Sequence, residues 1–328
     1  MICKSADRQI KIKETTKMTR EESISISAEI STMISRGDLI IDYSDRDVQN
    51  SRYDIPSSQL RSYIKQGFLN DPDDSEELEK FYIVKRLCDM LSLWERADTE
   101  YLRKLFSFAR KFTVREFYSD PYLLNISIPN EQIGRFMLYG SSYTRGEIFQ
   151  HEMPDLDADI IVPHIGFFNE EAVFPSIYEG VIPWVSVCPS EMSSMKDQIA
   201  AAHGNVLVLG LGLGYYPYLV SRSEKAEKIT IIERCPEIIE LFETHILPQF
   251  EHREKITVVH SDAYNYLERL RGGEYDFCFA DIWEGQADGA PAYLKIKAHE
   301  KRLTGTEFTY WIEKQLISYI KHEGLVQE

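Results

Sequence analysis

The strongest constraint on the fold is a regular alternation of apolar runs and helical patterns in the C-terminal part of the sequence. Four apolar runs have the length and composition of buried strands: NVLVLG, KITIIE, KITVVH and YDFCFAD. A helical pattern follows each of the first three. Strands separated by helices of this length require right-handed crossovers and form a parallel sheet covered on both faces. We therefore predict an α/β fold with a Rossmann-like parallel sheet in residues 190–328.

The rest of the chain has a different character. Residues 1–112 are predicted to form a helical N-terminal domain, in which Thr19 and Glu22 have the spacing of a capping box and Gly37 ends the first helix. Two further helices are predicted to begin near Ser75 and Asp98. Residues 113–189 contain repeated prolines and short β-type runs such as DIIVP and VIPWVSV. They are predicted to form an irregular, β-containing connecting or capping segment.

Composition and charge narrow the classes of partner. The chain has 37 Lys and Arg against 53 Asp and Glu, a net charge of −16. The electrostatic field of so negative a chain repels phosphate backbones and anionic membranes, so neither nucleic acid nor a membrane is an expected partner. The five scattered cysteines form no CxxC pair, which argues against disulfides and a metal site. With no apolar signal segment at the N-terminus, we expect a cytoplasmic protein. A homodimer remains a possible assembly.

A GxGxG motif follows the first of these strands. Gly210, Gly212 and Gly214 lie between the run Val206–Leu209 and the next helical pattern. Missing side chains let a ligand approach the backbone, and the start of a helix offers N–H donors. Glycines also serve in ordinary tight turns, so the motif alone is a weak signal.

Acidic residues end the next three strands. Glu233, Asp262 and Asp281 each occupy the C-terminal end of a predicted strand. Each alone could be a helix cap or a surface charge. Because open α/β sheets bind ligands at the carboxyl ends of their strands, three acids in this pattern after one glycine loop predict a nucleotide site.

The segments VLVLGLGLGY, TIIE, SDA and YDFCFAD resemble, in order and spacing, the motifs of class I methyltransferases that use S-adenosylmethionine (SAM). The resemblance covers roughly residues 190 to 285. It implies that Glu233 holds the ribose of SAM, that Asp262 and Ala263 contact the adenine, and that Asp281 faces the reaction centre. It further implies that the methionine part lies against the glycine loop, Gly210, Leu211, Gly212 and Gly214.

Other features are similar to the spermidine-synthase-like branch of this superfamily. They are an apolar Val208 in the glycine strand, the predicted helix SSMKDQIAAAHG before that strand, and the LPQF segment before the third strand. Leu213, however, stands where those aminopropyltransferases usually carry Asp. Forty-seven residues follow Asp281, with helices predicted near 291–301 and 306–322, so we expect a C-terminally shortened sheet. A nicotinamide dehydrogenase is disfavoured because Tyr215 occupies the sixth position of GxGxxG.

The leading hypothesis is a SAM-dependent methyltransferase for an unidentified small molecule. Such an enzyme must hold its acceptor in line with the methyl group and remove a proton where necessary. Asp281 is the predicted catalytic residue, with binding of the SAM amino group or capping as its alternative role. Trp283, Glu284 and Tyr143 are predicted on the substrate side, for a neutral or cationic acceptor. Aminopropyl transfer from decarboxylated SAM and non-catalytic SAM binding stay open.

Overall fold

The computed structural model describes residues 17–55 and 57–325, and its contacts divide the chain into two compact units. The first contains the described residues up to Val114 together with Tyr143–Ala172; the second contains Arg115–Ser142 and the residues from Val173 onward. The N-terminus, in which no signal segment was predicted, lies outside the described residues. The domain boundaries at residues 112 and 189 stay predictions, because independent folding defines a domain.

Helices dominate the N-terminal part, as predicted. The capping box is present, because the Thr19 hydroxyl accepts a hydrogen bond from Glu22 N and the Glu22 carboxylate accepts one from Thr19 N. The helices expected near Ser75 and Asp98 begin at Ser75 and Thr99, and their N-caps are Asp74 and Asp98. The helices are α1 Arg20–Ser35, α2 Asp45–Asp54, α3 Ser57–Lys65, α4 Ser75–Met90, α5 Leu93–Arg96 and α6 Thr99–Phe108.

The next segment builds one small sheet in each unit. Its elements are β1 Arg110–Phe112, α7 Val114–Phe117, α8 Pro121–Asn125, β2 Glu131–Ile133, β3 Phe136–Tyr143, β4 Phe149–Glu152, β5 His164–Phe168, β6 Ala172–Glu179 and β7 Ile182–Ser186. The strand orders are β1-β5-β4 and β2-β3-β6-β7. VIPWVSV contains β7, but the β-type prediction for DIIVP is wrong. There the backbone of Ile161 is hydrogen-bonded to the Ser23 and Ser27 hydroxyls instead of to a strand.

The C-terminal part alternates strand and helix as predicted. Its elements are α9 Pro189–Ser194, α10 Lys196–Ala201, β8 Gly204–Leu209, α11 Tyr215–Ser221, β9 Ala226–Glu233, α12 Pro236–Leu241, β10 Ile256–His260, α13 Ala263–Arg269, β11 Phe277–Ala280, α14 Gln286–Glu300, β12 Glu307–Tyr310 and α15 Glu313–Glu323. Every strand pair is parallel, in the order β10-β9-β8-β11-β12. This confirms the Rossmann-like fold.

The strand order places the topological switch point between β8 and β11. From β8 the chain crosses to β9 on one side, and β11 pairs with β8 on the other. Residues Val206–Leu209 and Phe277–Ala280 are all buried, which explains why these strands are apolar without alternation. In such sheets, ligands bind in the crevice at the carboxyl ends of the two strands flanking the switch point.

Two helix predictions in the C-terminal part of the chain need correction. The helix predicted from Thr306 is wrong at its start, because Glu307–Tyr310 pairs with β11 as a fifth parallel strand and only Glu313–Glu323 is helical. The helix predicted before the glycine strand is two short helices that meet at Met195. Among residues 17–55 and 57–325, the helices are too short or too polar to span a lipid bilayer.

Candidate functional site

A cavity lies at the carboxyl ends of the central strands of the second unit. It contains about 1280 Å³ of empty space, part of it open to solvent. Its walls are the glycine loop, the ends of β9, β10 and β11 with the residues that follow them, β7 and α9. Most residues predicted from the strand ends therefore meet in one place.

The glycine loop has left-handed backbone angles, but its glycines have different roles. A Cβ on Gly210 would overlap the Asp281 carbonyl oxygen, and one on Gly214 would lie 2.6 Å from a ring carbon of Phe242. Gly212 has more space, since the nearest atom to its Cβ would be a Val185 methyl carbon at 3.4 Å. Gly210, Leu211 and Gly212 line the cavity, and Gly214 is not among its lining residues. Packing thus explains Gly210 and Gly214 without a ligand.

Glu233 joins the second strand to the glycine loop. Its buried carboxylate accepts hydrogen bonds from Leu211 N at 3.1 Å and from Cys235 N at 2.8 Å. A carboxylate has about four acceptor positions, so both oxygens retain capacity for a ligand hydroxyl. Glu233 also lines the cavity. It therefore shapes the loop and remains available to a bound molecule.

Asp262 has the capping role that the sequence left open. One carboxylate oxygen accepts a hydrogen bond from Asn265 N at 3.0 Å, at the start of α13. Asp262 and Ala263 nevertheless line the cavity together with Tyr264. The cap leaves the second oxygen of Asp262 free of this backbone bond, so capping and ligand binding are compatible.

Two acidic residues of the cavity wall interact electrostatically. Asp281 follows β11, and Glu191 lies in α9; both line the cavity. No described residue lies within hydrogen-bonding or ion-pairing distance of either carboxylate. Burial raises the pKa of Glu191 to about 7. Burial, and secondly the charge of Glu191, raise the pKa of Asp281 well above its usual range. The pair therefore retains protons that isolated carboxylates would lose.

Sequence reasoning missed Glu191. An acidic residue in the first turn of a helix is common because it interacts favourably with the helix dipole, so Glu191 carried no distinctive signal. Its position on the helix that precedes the glycine strand was the available hint.

Trp283 supplies a polar group with no protein partner. Its indole is buried, and among the described residues no acceptor pairs with its Nε1. Gly289 allows this packing, since a Cβ there would lie 2.8 Å from the indole ring. Glu284 is exposed at the cavity, while Asp288 accepts hydrogen bonds from Glu284 N and Gly285 N, both at 2.9 Å. A buried N–H beside a cavity is a candidate donor to a ligand.

Tyr143 lies in the first unit and is not among the residues that line this cavity. Its ring stacks on Phe149 with a centroid distance of 4.4 Å. Two histidines of the same unit also have protein partners: His151 Nε2 contacts the Phe108 carbonyl and His164 Nδ1 contacts the Glu152 carboxylate. Burial lowers the pKa of His151. The substrate-side role of Tyr143 stays a prediction, and the structure provides it with a packing role.

The fold is that of a Rossmann-like α/β protein with a cavity at its switch point. No protein-family model matches the chain, and no curated protein matches it significantly. The spermidine synthase of Thermotoga maritima aligns with 47% of this chain and 57% of its own, at 13% identity and a TM-score of 0.32. The precorrin 8w decarboxylase of Methanobacterium thermoautotrophicum aligns with 37% of this chain and 63% of its own, at 16% identity and a TM-score of 0.28. Neither similarity indicates an activity for this chain.

Proposed function

We propose that the protein is a SAM-dependent methyltransferase acting on a small organic molecule, neutral or cationic. The observation that carries the proposal is the meeting of the glycine loop, Glu233 and Asp262 in one cavity at the switch point. This arrangement offers a backbone surface for close approach, an acceptor for ribose hydroxyls and an acceptor for an adenine amine.

The donor side fits SAM through groups whose internal bonds leave acceptor capacity. Glu233 would hold the ribose, Asp262 and Ala263 the adenine, and Gly210, Leu211 and Gly212 the methionine part. SAM supplies an electrophilic methyl group on a sulfonium. The protein's own contribution is to orient the acceptor, exclude water and receive a proton.

The acceptor side fits a positively charged or hydrogen-bond-donating molecule. Glu191 and Asp281 have no described protein partner, so a ligand can satisfy them. Among the described residues that line the cavity, Arg234 is the one cationic residue, and it is exposed. An opposite charge stabilises an ionised carboxylate, so a bound cation lowers the pKa of Asp281 and lets it accept a proton. The Trp283 ring can contact a cation or a flat acceptor.

The acidic pair Glu191 and Asp281 also favours a second candidate, aminopropyl transfer from decarboxylated SAM. The carboxylate of SAM needs a hydrogen-bond donor, whereas the corresponding part of decarboxylated SAM presents only an amine. Glu191 and Asp281 complement an amine and repel a carboxylate. Against this candidate, Leu213 occupies the position where aminopropyltransferases usually carry Asp. A SAM-binding protein without catalysis is the third candidate.

Calorimetric titration with SAM, decarboxylated SAM and NAD in parallel separates these candidates. We expect micromolar binding of SAM and none of NAD. Tighter binding of decarboxylated SAM would favour aminopropyl transfer, and binding without turnover in an acceptor screen would favour the third candidate. If folded protein bound neither SAM nor decarboxylated SAM, the proposal would be wrong.

The hydrogen bonds of Glu233 and Asp262 decide which variant best tests SAM binding. Glu233→Ala removes the acceptor of Leu211 N and Cys235 N, so it would disturb the glycine loop as well as the ribose contact. Asp262→Asn is cleaner, because Asn also caps helices well. We expect unchanged stability and SAM binding weakened by about tenfold, the equivalent of about 1.4 kcal/mol.

A further inference from the structure

We propose that Tyr122 is a positioning residue for the glycine loop. Its hydroxyl fixes the peptide unit between Leu213 and Gly214 and so holds the donor wall of the cavity in shape. The consequence for cofactor affinity rests on the proposed function; the consequence for the loop itself does not.

The contact joins two parts of the second unit that are 91 residues apart in sequence. The Tyr122 hydroxyl donates a hydrogen bond to the Leu213 carbonyl, and the Tyr122 side chain is fully buried. On the other side of the same peptide unit, Gly214 N donates to the Leu211 carbonyl at 3.0 Å. Rotating this peptide would therefore break two hydrogen bonds, one of them buried.

Helix α8 is itself fastened beside the loop. Asp120 accepts a hydrogen bond from Tyr122 N at 2.8 Å with one oxygen and from the Tyr215 hydroxyl at 3.1 Å with the other. The Tyr218 hydroxyl donates to the Pro121 carbonyl at 3.2 Å. The Tyr122 ring also packs edge-on against the rings of Tyr215 and Tyr218, at centroid distances of 5.5 and 5.4 Å. These contacts leave Tyr122 little freedom to withdraw from Leu213.

The loop needs such a support because of its composition. Alternate glycines give the backbone between Gly210 and Gly214 more accessible conformations than other residues would allow. Leu213 and Tyr215 line the cavity, so a change at their peptide units would alter the wall that a ligand meets. Burial raises the pKa of Tyr122 above its usual range, which keeps its hydroxyl protonated as a donor.

Tyr218 provides a matched control. It is also buried, belongs to the same ring cluster and donates its hydroxyl to a backbone carbonyl, but that carbonyl belongs to α8 and not to the loop. Tyr122→Phe and Tyr218→Phe thus each remove one buried hydroxyl and keep the ring. In Tyr218→Phe, the Asp120–Tyr215 hydrogen bond and the ring contacts of Tyr122 still hold α8 beside the loop. The Tyr218 hydroxyl also accepts a hydrogen bond from Arg222 Nη1 at 3.4 Å, which this variant removes as well. A purely structural role predicts similar behaviour of the two variants.

The first readout is backbone hydrogen exchange of the ligand-free protein, with urea denaturation to measure each variant's stability. We expect the amides of residues 211–216 to exchange about tenfold faster in Tyr122→Phe, at a loss of global stability similar to that of Tyr218→Phe, which leaves these amides near their wild-type rates. Equal exchange in the two variants, or unchanged exchange in Tyr122→Phe, would overturn the proposal.

The second readout is the Kd for SAM by calorimetry. We expect about tenfold weaker binding for Tyr122→Phe and a change below about twofold for Tyr218→Phe. Equal affinities of the two variants would contradict the positioning role. If the wild-type protein bound neither SAM nor decarboxylated SAM, the proposed function would fail, and the exchange rates alone would decide the role of Tyr122.

Discussion

Replacing Glu191 by Gln should stabilise the ligand-free protein at high pH while weakening cation binding. Burial raises the pKa of Glu191 from 4.5 to about 7, so the folded protein binds its proton more tightly than the unfolded chain does. The stability associated with the protonated form is fully present below about pH 4.5 and is lost as the pH rises to about 7. Above that range, the folded protein carries a half-buried carboxylate with no described partner.

The size of this stability change follows from the pKa shift of Glu191. One pKa unit corresponds to about 1.36 kcal/mol, so a rise of roughly 2.5 units corresponds to about 3 kcal/mol. Solvent reaches Glu191 through the cavity, and we therefore expect about 2–3 kcal/mol. Gln cannot ionise and nearly preserves the shape of the side chain. The free energy of unfolding of Glu191→Gln, relative to wild type, should rise by this amount between pH 4 and pH 8.

Urea denaturation of both proteins at pH 4, 6 and 8 measures this difference. Glu284→Gln is the control, because it removes an exposed carboxylate at the same cavity and should change stability by less than about 0.5 kcal/mol. A stability difference for Glu191→Gln that stays constant with pH, or falls as the pH rises, would refute the reasoning. The same variant should bind decarboxylated SAM more weakly at pH 8, because it lacks the negative charge that complements the amine of that ligand.

Two further predictions concern the loop and the reaction centre. Gly214→Ala places a Cβ 2.6 Å from the Phe242 ring at a φ of +73°, whereas Gly273→Ala at +83° meets no atom within 4 Å. Urea denaturation should show losses of about 2–4 and 1–2 kcal/mol, and equal losses would contradict the packing role of Gly214. Asp281→Asn should lower methyl transfer at least about 100-fold with SAM affinity within about threefold, measured by turnover and calorimetry, and unchanged turnover would exclude Asp281 as proton acceptor.

The local sequence pattern was sufficient to predict the parallel sheet and the part of the cavity wall that the strand ends form. An apolar run that ends in glycines or an acid specifies both a buried strand and the group at its end. Parallel strands align their carboxyl ends, so Gly210, Glu233, Asp262 and Asp281 had to meet once the alternation was recognised. The same local reasoning identified the capping box at Thr19, because a cap involves residues only three positions apart.

Local pattern failed where a distant partner decides the structure. Residues Glu307–Tyr310 form a strand because the edge of β11 is available to them, and no neighbour in sequence supplies that edge. Residues 160–163 of the run DIIVP are apolar and buried, yet side-chain hydroxyls from α1 satisfy the Ile161 backbone in place of a neighbouring strand. Burial is encoded by residue type, whereas the identity of the hydrogen-bonding partner is not.

The sequence by itself determined the fold class, the glycine loop and the acids at the strand ends, because periodicity and strand termini are properties of neighbouring residues. Only the tertiary structure brought Glu191 into the cavity wall with Asp281 and the Tyr122 hydroxyl to the Leu213 carbonyl. Glu191 and Tyr122 lie in segments that precede the glycine strand and have no periodic relation to it. Their effects depend on enclosure, since a carboxylate or a carbonyl acquires an altered pKa or an obligatory partner only when the folded chain removes it from water.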